Sequence, residues 1–269
     1  MKSFDYSGKT ALITGASSGI GLNIAEQLAA RGVALVLVAR TQIRLEALAD
    51  RLTKKYGVLA VVIVQDLGVP DAVPKLMQRL NAFAISPDIL VNNAGFATYG
   101  VFEEISLERQ EEEIRINCLT PLALTHALLP AMIMRGGGAV INVASTAAMQ
   151  PDPYMATYGA TKAFLLAFSE ALWAENRQGG VRVLALCPGA TETAFFDVVD
   201  AEEASVGKRM SANAVVDIGL KALDKNRSYV ITGCTNWLLG QLQRFVTRRR
   251  ILIIAEKMLR PKKPKNVRL

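Results

Sequence analysis

Tyr158 and Lys162 stand four residues apart in Tyr158-Gly159-Ala160-Thr161-Lys162. In a helix that spacing puts both side chains on one face. A phenol with a pKa of about 10 is a poor acid or base at neutral pH, but an adjacent ammonium stabilises the phenolate and lowers that value. Such a Tyr can pass a proton to or from a carbonyl or alcohol oxygen. Ser145 ends a β-branched run upstream, and its hydroxyl can hydrogen-bond the same oxygen. A Tyr-x-x-x-Lys pair alone is common and usually structural. Its weight here comes from Ser145 and from a glycine-rich turn near the N-terminus.

That turn reads Thr14-Gly15-Ala16-Ser17-Ser18-Gly19-Ile20-Gly21, directly after an apolar run and before a helical pattern. Gly15 permits a tight turn, Gly19 lets backbone approach a pyrophosphate, and Gly21 allows close helix–strand packing. Free N–H groups at the helix start then face the anion. No Gly-Lys-Ser/Thr follows, so this is not a P-loop. At the end of the second apolar run the sequence is Ala39-Arg40-Thr41. NAD sites usually carry an acid there for the ribose 2′-OH, whereas an Arg can pair with a 2′-phosphate. NADP(H) is therefore favoured over NAD(H). Asp66-Leu67, after the third run, can bring a carboxylate to the adenine amino group or serve as a turn.

These residues must be positioned by alternating elements. Apolar β-branched runs recur at 11–14, 33–39, 60–64, 89–91, 139–143, 181–186 and 229–232. Helical spacing fills 20–31, 42–56, 71–83, 103–134, 157–178 and 211–224. Most runs are continuously apolar, as in parallel strands covered on both faces. The expected fold is therefore α/β, a single-domain Rossmann fold with a doubly wound seven-stranded parallel sheet flanked by helices. Residues 1–235 form that domain. Residues 236–269 are expected as a helical C-terminal extension that is not an independent domain. Ligands bind such sheets at the carboxyl edge. After Pro188-Gly189 an irregular stretch to about Met210 is expected to be mobile, with Phe195-Phe196 as an apolar lid or ordinary loop packing, and the apolar loop Phe195–Val199 leans toward a hydrophobic substrate. Met149, Tyr154 and Met155 are candidates to line the same pocket.

In order and spacing, the chain from about Gly8 to Val230 resembles the classical short-chain dehydrogenase/reductase family, in its NADP-preferring branch. The matching residues are Thr14–Gly21, Asp66, Asn92-Asn93-Ala94-Gly95, Asn117, Ser145, Tyr158, Lys162 and Pro188-Gly189 with Thr193. The resemblance implies that Tyr158 is the general acid/base. It implies that Lys162 lowers the Tyr pKa and holds the nicotinamide ribose, that Ser145 orients the substrate carbonyl, and that Asn117 supports a water chain behind Lys162. It implies cofactor contacts along Gly15, Ser17, Ser18, Gly19, Ile20 and Gly21, and at Arg40, Asp66 and Leu67. Further contacts are implied at Asn92, Ala94 and Gly95, then at Pro188, Gly189, Ala190 and Thr193. Dimers or tetramers through the long helices near 103–134 and 157–178 are also implied.

The composition excludes several classes. Hydrophobic residues make up 51% of 269 and charged residues 20%, which is not a disordered chain. With three scattered cysteines and one His, no zinc site is expected, and the cysteines suggest a reducing, cytoplasmic setting. His126 is expected to be a partly buried structural residue, Cys187 a small buried one, and the acidic run Glu103–Glu113 a solvated helix face. The net charge is +7, yet the stretch from Gly240 to Leu269 alone carries ten Lys+Arg against one acid, leaving the body at −2. A uniformly basic nucleic-acid-binding domain is thus disfavoured. No uninterrupted apolar run reaches the roughly 20 residues needed to span a bilayer. Leu238, Leu239, Leu242, Phe245 and Val246 fit one apolar helix face and Ile251–Met258 another, with Arg248-Arg249-Arg250 between them and Pro261–Lys265 frayed. Such basic amphipathic helices bind anionic membrane surfaces, or pack on the domain or a second subunit. The expected activity is hydride transfer between NADP(H) and a carbonyl or secondary alcohol of a hydrophobic substrate. The alternative is a nucleotide sensor or membrane-surface binding protein with little turnover.

Overall fold

The computed structural model describes residues 3–193, 195, 208–242 and 245–261. Seven strands run parallel in the order β3-β2-β1-β4-β5-β6-β9. They are β1 (Thr10–Thr14), β2 (Ala34–Ala39), β3 (Ala60–Val64), β4 (Ile89–Asn92), β5 (Gly138–Val143), β6 (Val181–Cys187) and β9 (Tyr229–Ile231). A two-residue pair, β7 (Thr191–Glu192) with β8 (Met210–Ser211), lies outside this sheet.

The continuous apolar runs divide by parity, because successive side chains in a strand point to opposite faces. Ala11, Ile13, Leu35 and Leu37 enter one core with α1 (Gly19–Ala29), α2 (Gln42–Tyr56) and α7 (Ala212–Asp224). Leu12, Val36 and Val38 enter the other, with α3 (Ala72–Ala82), α5 (Thr120–Met134) and α6 (Ala156–Asn176). Both faces are therefore dry, which is why the strands carry no polar alternation. The chain winds from β1 toward β3, then returns and builds outward from β4. The crevice of a doubly wound sheet opens between the carboxyl ends of β1 and β4.

The stretch 103–134 departs from a single helix. It comprises a 3-10 turn (Phe102–Glu104), α4 (Leu107–Ile114), a π turn (Arg115–Leu119) and α5. Ser106 starts α4 by accepting a hydrogen bond from Arg109 N at 3.3 Å. A π turn fits one extra residue into a helix and redirects the side chains around it. Here it carries Asn117.

The tail forms α8 (Cys234–Leu242) and α9 (Arg248–Leu259). The expected boundary at 235/236 falls inside α8. Arg248-Arg249-Arg250 are not a spacer but the first turn of α9, because the extended backbone at Thr247 begins that helix. Phe245 and Val246 lie outside both helices. Phe196–Val199, the rest of the expected mobile loop (194 and 196–207) and residues 262–265 lie outside the described residues, as does the Leu242 side chain.

Candidate active site

The glycine turn is held from behind by the end of β4 and the two residues that follow it. Thr14 Oγ1 donates to Val91 O at 3.2 Å and accepts from Asn93 N and Ala94 N, both at 3.0 Å. Asn93 Nδ2 donates to Thr14 O at 2.9 Å and Gly15 O at 3.1 Å. Gly15 takes the left-handed backbone (φ +65) that favours glycine. A Cβ on Gly21 would run into Gly15 O and Asn93 Nδ2. Ser18 at the start of α1 makes no side-chain cap, so the first-turn N–H donors remain open. Thr193 stands over the turn, its Cγ2 3.0 Å from where a Gly19 Cβ would lie. Arg40 is exposed past β2 and forms no salt bridge among the described residues. Open donors, close glycines and a free guanidinium fit a phosphorylated dinucleotide.

Two neighbouring positions do structural duty. Asp66 Oδ1 accepts from Gly68 N at 2.8 Å, which closes a turn. Leu67 is buried in the core, and its carbonyl accepts from Thr120 Oγ1 at 3.2 Å.

Across the crevice stand the side chains with shifted titrations. Tyr158 and Lys162 occupy adjacent turns of α6, both buried, with Lys162 Nζ 5.6 Å from the Tyr158 ring centroid. Lys162 Nζ donates to Val143 O at the end of β5, at 2.9 Å. Burial pushes its pKa down to about 8. Burial also raises the Tyr158 phenol above its ordinary value, and a hydrogen bond with Ser145 pulls it back. Desolvation is the largest influence on the phenol. Ser145 ends β5 and accepts from Ala147 N at 3.1 Å, which fixes its rotamer. Asn117 Nδ2 donates to Phe96 O at 2.9 Å and Thr161 Oγ1 at 3.0 Å, and its Oδ1 accepts from Phe96 N at 3.3 Å. Asn117 thus clamps the loop after β4 to α6. A Cβ on Gly95 would come 2.8 Å from Asn117 Oδ1 and 3.6 Å from Lys162 Nζ, so the backbone at Gly95 faces this pair.

Pro188, Gly189 and Ala190 continue the same edge. Pro188 O accepts from Thr146 N, and Ala190 O from Met210 N, each at 2.9 Å. A Cβ on Gly189 would collide with the Asn236 amide of α8. The apolar neighbours of Tyr158 are Ala97 and Met155, with Tyr99, Ala147 and Phe195 packed on them. Phe195 lies 5.7 Å from the Tyr158 ring, while Phe196 lies outside the described residues. Met149 packs instead with Ala144, Leu165 and Cys187, and Cys187 is buried as expected.

Three sequence expectations are corrected. The Asn92 side chain turns into the core, donating to Asn142 Oδ1 at 2.8 Å and Thr125 Oγ1 at 3.3 Å, so it does not line the crevice. Asn93 does the tethering there, a role that only its register beside β1 reveals. His126 is exposed, since it falls on the outer face of α5. Glu113 is fully buried and not a solvated face residue. It lies one turn before Asn117 and so shares its inward face. Its Oε2 accepts from Thr98 Oγ1 at 2.6 Å and Thr98 N at 3.2 Å, while Oε1 has no partner. Desolvation raises its pKa to about 7, opposed first by the two hydrogen bonds from Thr98 and then by the charges of Lys162 and Arg109.

Known proteins are similar to this chain in sequence and fold. Residues 9–204 match the family described as short chain dehydrogenase. The very-long-chain 3-oxoacyl-CoA reductase-B of Danio rerio is 37% identical over 187 residues, which are 67% of this chain and 59% of that protein. The chain spans about 60% of the length of the curated relatives it matches first. A solved short-chain dehydrogenase from Sphingobium yanoikuyae, in complex with NADPH, superposes with a TM-score of 0.79. It is 33% identical, over 97% of this chain and 99% of that one. A bulky-bulky ketone specific alcohol dehydrogenase from Comamonas testosteroni gives 0.75 and 32%, over 91% and 94%. On the match over residues 9–204 and the likeness to these relatives and structures, the chain belongs to the short chain dehydrogenase family.

Proposed function

We propose that the protein is an NADP(H)-dependent oxidoreductase acting on a carbonyl or secondary alcohol of a hydrophobic substrate. The observation that carries this reading is the Tyr158 hydroxyl, buried beside Ser145 and Lys162 across the crevice from the open N-terminus of α1. The bound nicotinamide would supply or accept the hydride. Open donors at Ser18–Gly21 and the guanidinium of Arg40 would hold its phosphates.

Ser145 would donate a hydrogen bond to the substrate oxygen and fix it against Tyr158. Tyr158 would give its proton to that oxygen in reduction and take it back in oxidation. Burial holds the phenol protonated, which suits a proton donor. Lys162, held by Val143 O, would stabilise the phenolate left behind. Ala97, Met155 and Phe195 would exclude water and favour an apolar substrate. The NADPH-bound structural neighbour, the ketone-specific neighbour and the oxoacyl-CoA reductase relative support that choice.

The exposed Leu122 and Ile133 of α5 and Phe164 of α6 support a homodimer or homotetramer through these helices. The three free cysteines support a reducing, cytoplasmic setting. A sensor with little turnover would not need Ser145, Tyr158 and Lys162 together.

The test is a titration of the purified chain with NADPH and with NADH, followed by nicotinamide fluorescence, then a screen of apolar ketones. Tighter NADPH binding with ketone-dependent oxidation is expected. Binding of NADH alone overturns the cofactor assignment, and binding of neither overturns the enzyme.

A further inference from the structure

The helices after Gly233 leave an apolar surface that the fold does not cover. Ala255 and Leu259 of α9 are buried against the domain, with Ile251 and Leu252 partly buried beside them. The same helix is tied to the active-site rim by two tyrosines. Tyr154 donates to Glu256 Oε1 at 2.9 Å, and Tyr99 donates to Leu259 O at 2.8 Å. Tyr154 holds a left-handed backbone (φ +64), disfavoured for an aromatic side chain. Its partners Glu256 and Gly100, whose N–H donates to Tyr154 O at 2.9 Å, fix it there. Tyr99 packs on the cluster around Tyr158. The position of α9 is thus set by the rim of the catalytic crevice.

Its other side is bare. Ile253, Ile254 and Met258 are about half exposed, as are Trp237, Leu238 and Leu239 of α8, and Phe245 between the helices is 84% exposed. Single exposed apolar residues are ordinary, but a dense set including Trp and Phe marks an interaction surface. The charge set among them is one-sided. Arg248, Arg249 and Arg250 crowd the first turn of α9, the end of a helix that disfavours cations. No acid pairs with these or with Lys257 among the described residues, while the body of the chain is slightly acidic. A partner must therefore be apolar beneath and anionic on top. A second copy of this chain is acidic by only two charges over its body and, among the described residues, presents exposed acids only in patches such as Glu103–Glu111, whereas an anionic bilayer offers apolar depth beneath a continuous anionic surface.

We propose that α8 and α9 dock the rim of the active site onto an anionic lipid surface, so that an apolar carbonyl substrate reaches Tyr158 from the bilayer. The docking stands on the exposed surface and its charge. Substrate delivery rests on the oxidoreductase reading above.

The test is flotation of the full-length chain with vesicles of neutral phosphatidylcholine, and with vesicles carrying roughly one-third phosphatidylglycerol. Arg249→Glu/Arg250→Glu and Ile253→Ser/Ile254→Ser variants are run beside the native chain. All four positions are partly or fully exposed, and NADPH binding checks the fold of each variant. Native chain should float with the anionic vesicles, less so as salt rises. Binding should fall at least about tenfold on neutral vesicles and in either variant, with NADPH affinity unchanged. A ketone dissolved in the vesicles should be reduced faster by the native chain than by the variants, and a water-soluble ketone equally by all.

No flotation, or equal flotation on both vesicle types, overturns docking. So does a solution dimer that Ile253→Ser/Ile254→Ser splits while flotation is absent, because a second copy then covers the surface. Flotation without NADPH binding or turnover leaves docking standing and overturns the delivery of a substrate.

Discussion

The two banks of the crevice are built on different principles. On the β1–β3 bank, function is carried by backbone: glycines that admit close approach, N–H groups left uncapped at Ser18, and one exposed guanidinium at Arg40. On the β4–β6 bank it is carried by buried side chains whose protonation the interior has moved, namely Tyr158, Lys162 and Glu113. On the proposed reading, the first bank would bind with groups whose charge does not change with pH, and the second would do chemistry with groups whose charge does. Substitutions on the two banks should therefore fail differently: affinity on one, turnover and pH behaviour on the other.

The sharpest break of that contrast is Tyr158→Phe. Removing the hydroxyl should cost about 10³-fold or more in kcat, while NADPH affinity in a fluorescence titration stays within about threefold. Normal turnover would remove Tyr158 from its role. On the opposite bank, Gly21→Ala sets a Cβ against Gly15 O and the Asn93 amide, neither of which is a flexible chain end. The turn must deform, so NADPH binding should weaken by about a hundredfold by titration, with a lower melting temperature.

The first bank was legible from the sequence because its parts are local. Gly15, Gly19 and Gly21 fall within one strand–turn–helix, and the structure places that turn at the end of β1 as the spacing requires. The doubly wound sheet was legible for the same reason, since parity along each strand and helical spacing are short-range patterns. The second bank is assembled from segments far apart in sequence, and there local reading fell short. Glu113 sits in an acidic run that reads as solvent-facing, yet the inward face of α4 and the loop at Thr98 bury it. The π turn that carries Asn117 leaves no mark in composition. Asn92 and Asn93 are indistinguishable as letters. Only pairing of β4 with β1 and β5 sends one to the core network and the other to the glycine turn.

Arg40→Asp probes the first bank more gently. If the guanidinium selects a 2′-phosphate, the ratio of NADPH to NADH affinity should fall by about ten- to a hundredfold, with kcat for the preferred cofactor little changed. An unchanged ratio would reject the assignment.

The smallest effect belongs to Glu113, and it separates a titrating group from a merely packed one. Its folded pKa of about 7 lies above the ordinary value of 4.5. The native state therefore holds this proton over a pH range in which the unfolded chain has released it. Stability from this group is complete below the unfolded value and is lost as pH rises through about 7. Glu113→Gln keeps an oxygen to accept from Thr98 and removes the titration. Its melting temperature should therefore equal or fall below that of the native chain in mild acid, and rise relative to it between pH 5 and 8. The crossover should amount to about 1–3 kcal/mol. Parallel melting curves across that range would show that Glu113 does not change protonation on folding. A crossover accompanied by a shift in the pH dependence of kcat would show that its charge is felt at Lys162, across the cluster that Asn117 clamps together.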